Sequence, residues 1–245
     1  MREWLPYCGE APKPAQWWAN WNFSPELVLI VIGMLAGIFF FRDRLRSTPS
    51  VGTTAIFSFL YITPFCALGS ALFTVRVVHD VVLVAVLAPL LVGASRNRFV
   101  LGGSLPIWTA VHVLIFWMWH APQMYEAVMS NDLVFWLMQL TLVATAALWW
   151  AKVLRSPAPA AVASLLAMMV SMGALGALLT FAPRALYAPH WFTVQSWGLN
   201  PLEDQQIAGI VMWAPASLVY LLAALVILYR PLTKIFYNSI HNKRH

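Results

Sequence analysis

The sequence predicts an all-α polytopic membrane protein, seven transmembrane helices in one bundle, and three observations carry that expectation. Of the 245 residues, 61% are hydrophobic and only 10% charged, with a mean hydropathy of +0.72, far outside soluble globular usage. The apolar residues come in long runs rather than in alternating segments of about ten, which excludes an outer-membrane barrel, because backbone polar groups in lipid must be satisfied within each helix. The cations between the runs sort to one side of a seven-span arrangement.

The first segment, residues 1–25, is rich in Pro and Trp and lacks an apolar core, so it does not read as a cleaved signal peptide. Trp17, Trp18 and Trp21 suit the headgroup layer, and the segment is expected to lie along the periplasmic surface. The transmembrane domain, 26–229, holds seven runs near the length of roughly 20 apolar residues that a span needs. They are Glu26 to Phe41, Val51 to Leu68, Ala71 to Ala94, Pro106 to His120, Asp132 to Leu154, Ala158 to Ala182, and Gln205 to Tyr229. Pro122 is expected to end or kink the fourth. Residues 230–245 form a basic tail. Gly33 with Gly37, and Gly173 with Ala177, are small residues at helical spacing and are read as packing positions.

Arg42, Arg44, Arg46, Arg96, Arg98, Lys152, Arg155, Arg230, Lys234, Lys243 and Arg244 fall on one side of this arrangement, and Arg2, Lys13 and Arg184 on the other. The positive-inside rule then puts the amino terminus in the periplasm and the tail in the cytoplasm of a bacterial inner membrane. Glu3, Glu10, Glu26, Glu126, Asp132, Glu203 and Asp204 lie at the outer side. The net charge of +6 and pI near 9.6 are accounted for by the cytoplasmic loops, and no basic cluster calls for a nucleic acid partner. Two cysteines without CxxC spacing exclude a structural zinc knuckle. Cys8 and Cys66 both fall on the oxidising side, where they can pair, serve as thiolate ligands, or stand as unrelated thiols.

Orientation turns scattered residues into a layer. At 1.5 Å per residue, His79 lies roughly 12 Å below the outer surface, His112 roughly 12 Å and Met212 roughly 10 Å. Nearer the water come His120, Glu203, Asp204, Met124 and Cys66. Glu203 and Asp204 have two readings: a polar cap in the first turn of a helix, or carboxylates that complete a cation site with histidines from neighbouring helices. Arg76 and Asp80, four apart on one face, are expected to neutralise each other. His241 and His245, in the basic tail, are assigned no role. No serine elbow and no glycine-rich phosphate loop occurs, and catalysis is not implied.

YCG at Tyr7 to Gly9, WNFSP at Trp21 to Pro25, HDVVLVAVLAPLL from His79, WHAPQMYEAV from Trp119 and LEDQQIAGIVMW from Leu202 together resemble the CtaG-type cytochrome c oxidase assembly factors. The resemblance implies a seven-helix inner-membrane protein that takes part in oxidase maturation with oxidase subunits or other assembly factors as partners, and it implies copper as the group handled. The matching positions are His79, His112, His120, Tyr125, Asp204, Gln205, Gly209 and Trp213. The chain departs from the family pattern at Val75 and Arg76, and at Asn131, Asp132 and Trp136, where other members carry further histidines. The expected metal site is His79, His112, His120 and Asp204 in one outer pocket, with Glu203, Gln205, Tyr125, Met212, Cys8 and Cys66 as further ligands or supports. The rival readings are a haem protein with His79 and His112 as axial ligands, a structural or docking subunit of a respiratory complex, and a copper transporter.

Overall fold

The computed structural model describes residues 6–95 and 102–241, with side chains up to Tyr229. Arg2, Glu3, Arg96, Arg98, Lys243, Arg244 and His245 lie outside the described residues, as do the side chains of Arg230, Lys234 and His241. The described residues are helical, with no strand among them: α1 (Pro25–Phe40), α2 (Ser47–Tyr61), α3 (Phe65–Ala71), α4 (Phe73–Val82), α5 (Ala88–Ala94), α6 (Leu105–Trp119), α7 (Pro122–Val128), α8 (Asp132–Val153), α9 (Ala158–Thr180) and α10 (Pro201–His241).

Four helical segments are long and apolar enough to cross a membrane: Phe73–Ala94, Asp132–Val153, Ala158–Thr180 and Pro201–Tyr229. A fifth forms if α2 and α3, bent by 41°, count as one. Of the seven expected runs, α1 with 16 residues and α6 with 15 are apolar but short, roughly 24 and 22 Å at 1.5 Å per residue against a hydrocarbon core of about 30 Å.

Proline explains several boundaries. Pro64 stops α2, and the Thr63 hydroxyl accepts from Phe65 N–H at 3.3 Å as α3 begins. The apolar run from Val51 to Leu68 thus conceals two helices. Pro122 opens α7 after α6 has ended at Trp119. Pro89 has no N–H to give the Ala85 carbonyl, and the turn before it widens to a π-helix over Leu83–Leu87. The indole of Trp150 donates to the Val84 carbonyl at 3.0 Å within this widened turn, so α8 is locked to it.

The tightest crossing is α9 on α10. A Cβ at Gly176 would stand 2.6 Å from the Gly209 carbonyl oxygen, so backbone meets backbone there. Gly173 faces Trp213 closely, as expected, whereas Gly33 and Gly37 meet nothing within 4 Å and are not packing positions in this chain. Large apolar side chains such as Leu29, Ile32, Phe39, Leu114, Leu140, Val170, Leu178 and Leu222 are exposed around the outside, as a bilayer-facing surface requires.

One end of the bundle gathers the segment before α1, the α3–α4 junction, α7, and the α9–α10 loop. Trp197 Nε1 donates to the Pro12 carbonyl at 3.0 Å, Thr193 Oγ1 to the Ala71 carbonyl at 2.8 Å, and Tyr187 Oη to the His120 carbonyl at 2.7 Å. Trp18, Trp21 and Phe23 remain exposed on this capped end. Arg42, Arg44, Arg46, Lys152 and Arg155 lie at the other end, where Arg46 N–H donates to the Ala94 carbonyl.

Candidate functional site

The acidic stretch that opens α10 divides its work. Glu203 and Asn200 form a reciprocal cap, each backbone N–H donating to the other's side-chain oxygen at 2.9 Å. Asp204 is fully buried and caps a different helix: its two oxygens accept from Phe73 N–H at 2.6 Å and Thr74 N–H at 3.1 Å, while Thr74 Oγ1 donates to the Asp204 carbonyl at 2.8 Å. The amides that begin α4 have no helical partners of their own, and a carboxylate is their strongest acceptor. Gln205 accepts from Leu186 N–H at 2.7 Å and donates to the Leu179 carbonyl at 3.1 Å, so it fastens the α9–α10 loop. Met212 is fully buried in the apolar core.

The three expected histidines are all buried, at two levels. His120 caps α6, with Nδ1 at 2.8 Å from the Phe116 carbonyl. A carbonyl only accepts, so Nδ1 carries the proton and Nε2 keeps its lone pair. His112 lies eight residues earlier, roughly 12 Å along the helix, against Trp149 with ring centroids 5.7 Å apart. Its Nδ1 is 2.9 Å from Thr145 Oγ1. The Thr145 proton is directed at the Thr141 carbonyl at 2.8 Å, so Nδ1–H donates to the hydroxyl oxygen. His112 Nε2 then bears a lone pair with no hydrogen-bond partner. His79 sits between Tyr61 and Phe65, with centroids 5.2 and 6.3 Å away, and its Nδ1 is 3.5 Å from Asp80 Oδ1. That distance is an electrostatic contact, not a well-formed hydrogen bond.

Among the described residues, no three His, Cys, Asp or Glu side chains come together in an arrangement that would hold a metal ion. The geometry shows why the four-residue pocket does not form. Asp204 is turned onto the amides of α4, and His112 and His120 are separated by two turns of one helix. Asp80, 3.5 Å from His79 Nδ1, also lies within electrostatic reach of His120.

Cys8 and Cys66 are joined in a disulfide, so neither offers a thiolate ligand, and the pairing left open by the sequence is formed. Arg76 makes no direct ion pair with Asp80, whose near ionisable neighbour is His79. Its guanidinium donates to Cys8 Sγ at 3.7 Å and lies 5.4 Å over the Phe135 ring, while Nε and Nη1 have no partner. Gly69 makes room for it, since a Cβ there would come within 3.2 Å of the guanidinium carbon. Tyr61 Oη donates to Gln139 Oε1 at 2.7 Å beside His79.

Tyr125 supports a residue that sequence reasoning missed. Its hydroxyl lies 2.7 Å from Nε2 of His190, in a short 3-10 turn of the α9–α10 loop. Burial pushes the His190 imidazole down to about 3, so it is neutral and accepts the Tyr125 proton. Tyr187, from the same loop, stacks on Phe73 with centroids 3.9 Å apart. The only sequence signal for His190 was its place in a loop otherwise rich in aromatic residues. Phe73, Tyr125, Tyr187 and His190 thus form an aromatic plug over the α4 terminus that Asp204 holds.

No curated protein and no solved structure matches the chain. The family described as cytochrome c oxidase caa3 assembly factor matches residues 104–234, from just before α6 into α10. That stretch is more than half of the chain and contains His112, His120, Tyr125, His190, Asp204 and Gly209. With its helical architecture and capped, histidine-bearing end, the chain belongs to the cytochrome c oxidase caa3 assembly factor family.

Proposed function

We propose that the protein assists assembly of its oxidase from the periplasmic side of the inner membrane, through its capped end. The single observation that supports this most is where the buried chemistry lies. Arg76, His79, Asp80, His120 and Tyr125 all stand beneath the cap formed by the amino-terminal segment and the α9–α10 loop, whose His190 meets the Tyr125 hydroxyl. Loop charge supports the orientation, with the arginine-rich end in the cytoplasm. In this reading α1 and α6 complete seven spans, and their shortness is offset by local bilayer thinning and tilt of their neighbours.

Copper is the cargo this reading favours, held by His79 and His120 without His112 or Asp204. What supports it is the proton on Nδ1 of His120, which leaves Nε2 as a ready ligand, the arrangement that a backbone carbonyl imposes on metal-binding imidazoles. Monovalent copper accepts so small a set of imidazole donors. Protein purified from copper-supplied cells is expected to retain copper in the wild type and in His112→Ala, and to lose it in His120→Ala. Equal copper in all three, or none in any, would remove the cargo reading, and a Soret band in the same preparation would support haem instead. Docking is tested separately by a photocrosslinker at the exposed Trp191, which should capture an oxidase subunit, while one at Leu154 should not. Capture from Leu154 alone would place the working face at the other end.

A further inference from the structure

The amino-terminal segment runs across the capped end as a strap, and the disulfide is its one covalent tie. Tyr7 stacks on Phe135 with centroids 5.0 Å apart, and this is the ring under the Arg76 guanidinium. Tyr7 also meets Trp136 edge-on, and Trp136 stacks on Tyr61, which faces His79. Tyr7 and Cys8 are therefore the outer wall of the layer that holds Arg76, His79 and Asp80. The other polar fastenings are few: Tyr7 Oη to Ser24 Oγ at 3.4 Å, the Trp197 indole on the Pro12 carbonyl, and, far from Cys8 along the strap, Asn22 N–H on the Ile62 carbonyl at 2.8 Å. Gly9, with φ of +88°, turns the strap away immediately after Cys8 and lets its N–H reach the Pro6 carbonyl.

The layer beneath is poorly satisfied. Arg76 Nε and Nη1, both nitrogens of His79, Asp80 Oδ1, Gln139 Nε2 and Ser70 Oγ are buried without hydrogen-bond partners. Each such group is costly to keep from water, so hydration favours any state in which the wall lifts. The covalent tie opposes that gain.

We propose that the Cys8–Cys66 disulfide is a redox-operated latch, and that its reduction by a dithiol frees the strap and opens the Arg76–His79–Asp80 layer to the periplasmic face. Cys8 is 7% exposed and Cys66 1%, so an incoming thiolate attacks the Cys8 sulfur, forms a mixed disulfide and releases Cys66 as thiolate. The second thiol of the reductant then attacks its own sulfur in the mixed disulfide and displaces Cys8. The chain gains two electrons and two protons, and the dithiol leaves as its disulfide. The Arg76 cation, 3.7 Å from Cys8 Sγ, stabilises the negative charge that spreads over the sulfurs during exchange. With the latch open, Tyr7 and Cys8 no longer wall the layer.

The test uses full-length protein in nanodiscs, purified without reductant, then either left oxidised or treated with dithiothreitol and alkylated. Carbethoxylation by diethylpyrocarbonate is followed at His79 and, as an internal control, at His112 in the deeper layer. Reduction and alkylation are expected to add two alkyl groups to the intact mass and to raise the His79 rate at least tenfold while His112 stays protected. The double variant Cys8→Ser with Cys66→Ser should show the fast His79 rate without reductant. An unlinked pair in the purified protein, a disulfide that dithiothreitol leaves intact under native conditions, an unchanged His79 rate, or an equal rise at His112 would each overturn the latch.

Discussion

Asp204 reaches from the first turn of α10 to Phe73 at the start of α4, Oδ2 to backbone N–H, 2.6 Å, across 131 positions of sequence. One carboxylate thereby fixes the entry of the helix that carries Arg76, His79 and Asp80. Replacing it with Ala strands the buried Phe73 N–H, which costs about 1–3 kcal/mol, and the part-buried Thr74 N–H as well. Asp204→Asn keeps one acceptor oxygen and should fall between Ala and wild type in thermal stability, measured by intrinsic fluorescence in detergent. Wild-type stability for Asp204→Ala, together with lost copper, would favour a ligand role over the cap.

Gly209 should tolerate no side chain. A Cβ at that position would press into the Gly176 carbonyl and Thr180 of α9. Gly209→Ala is expected to destabilise by about 1–3 kcal/mol or more, the usual cost of overpacking. Gly33→Ala, which meets open space, should be neutral. Equal melting temperatures for the two variants would contradict the close crossing.

The α9–α10 loop should loosen in acid through His190. Its folded pKa, about 3, lies below the ordinary value of 6.5 because of burial. The undocked loop therefore takes up a proton first as pH falls below 6.5, and docking weakens progressively between 6.5 and about 3. Above 6.5 the contribution is constant. Hydrogen exchange of residues 182–199 at pH 7 and 5 should show this loosening in the wild type, and His190→Gln should flatten the difference. An exchange rate unchanged by pH, once corrected for intrinsic chemistry, would exclude His190 as the cause.

The proposed topology rests on the loop charges and can be tested with single cysteines, because the native pair is already joined. Gln195→Cys on the capping loop should react with an impermeant maleimide in intact cells, and Thr48→Cys at the start of α2 only after lysis. The reverse pattern would invert the molecule and move the working face to the cytoplasm.

The helical class and the family were legible because hydropathy and the run from Leu202 to Trp213 are local patterns. The break at Pro64 and the widened turn before Pro89 were visible as prolines, yet a continuous apolar run hides a bend that only neighbouring helices can set. The depth argument put His79, His112 and Met212 in one layer with His120 and Asp204 nearer the water, but depth fixes only one coordinate. It did not show that the two turns between His112 and His120 keep them from one pocket, nor which way Asp204 turns. Both acids of α10 are caps, one for its own helix and one for α4, and that distinction depends on a contact 131 residues away. His190 escaped because its role comes from Tyr125 across the fold, not from any pattern around it.

The measurement that bears most directly on the account is caa3-type oxidase activity in a strain lacking this gene, complemented with His79→Ala, His120→Ala or the double variant, each normalised to its level in the membrane. The account predicts that the double variant accumulates normally and leaves oxidase activity at the level of the empty strain, with His112→Ala close to wild type. Full oxidase activity in the double variant would contradict the role assigned to the capped end.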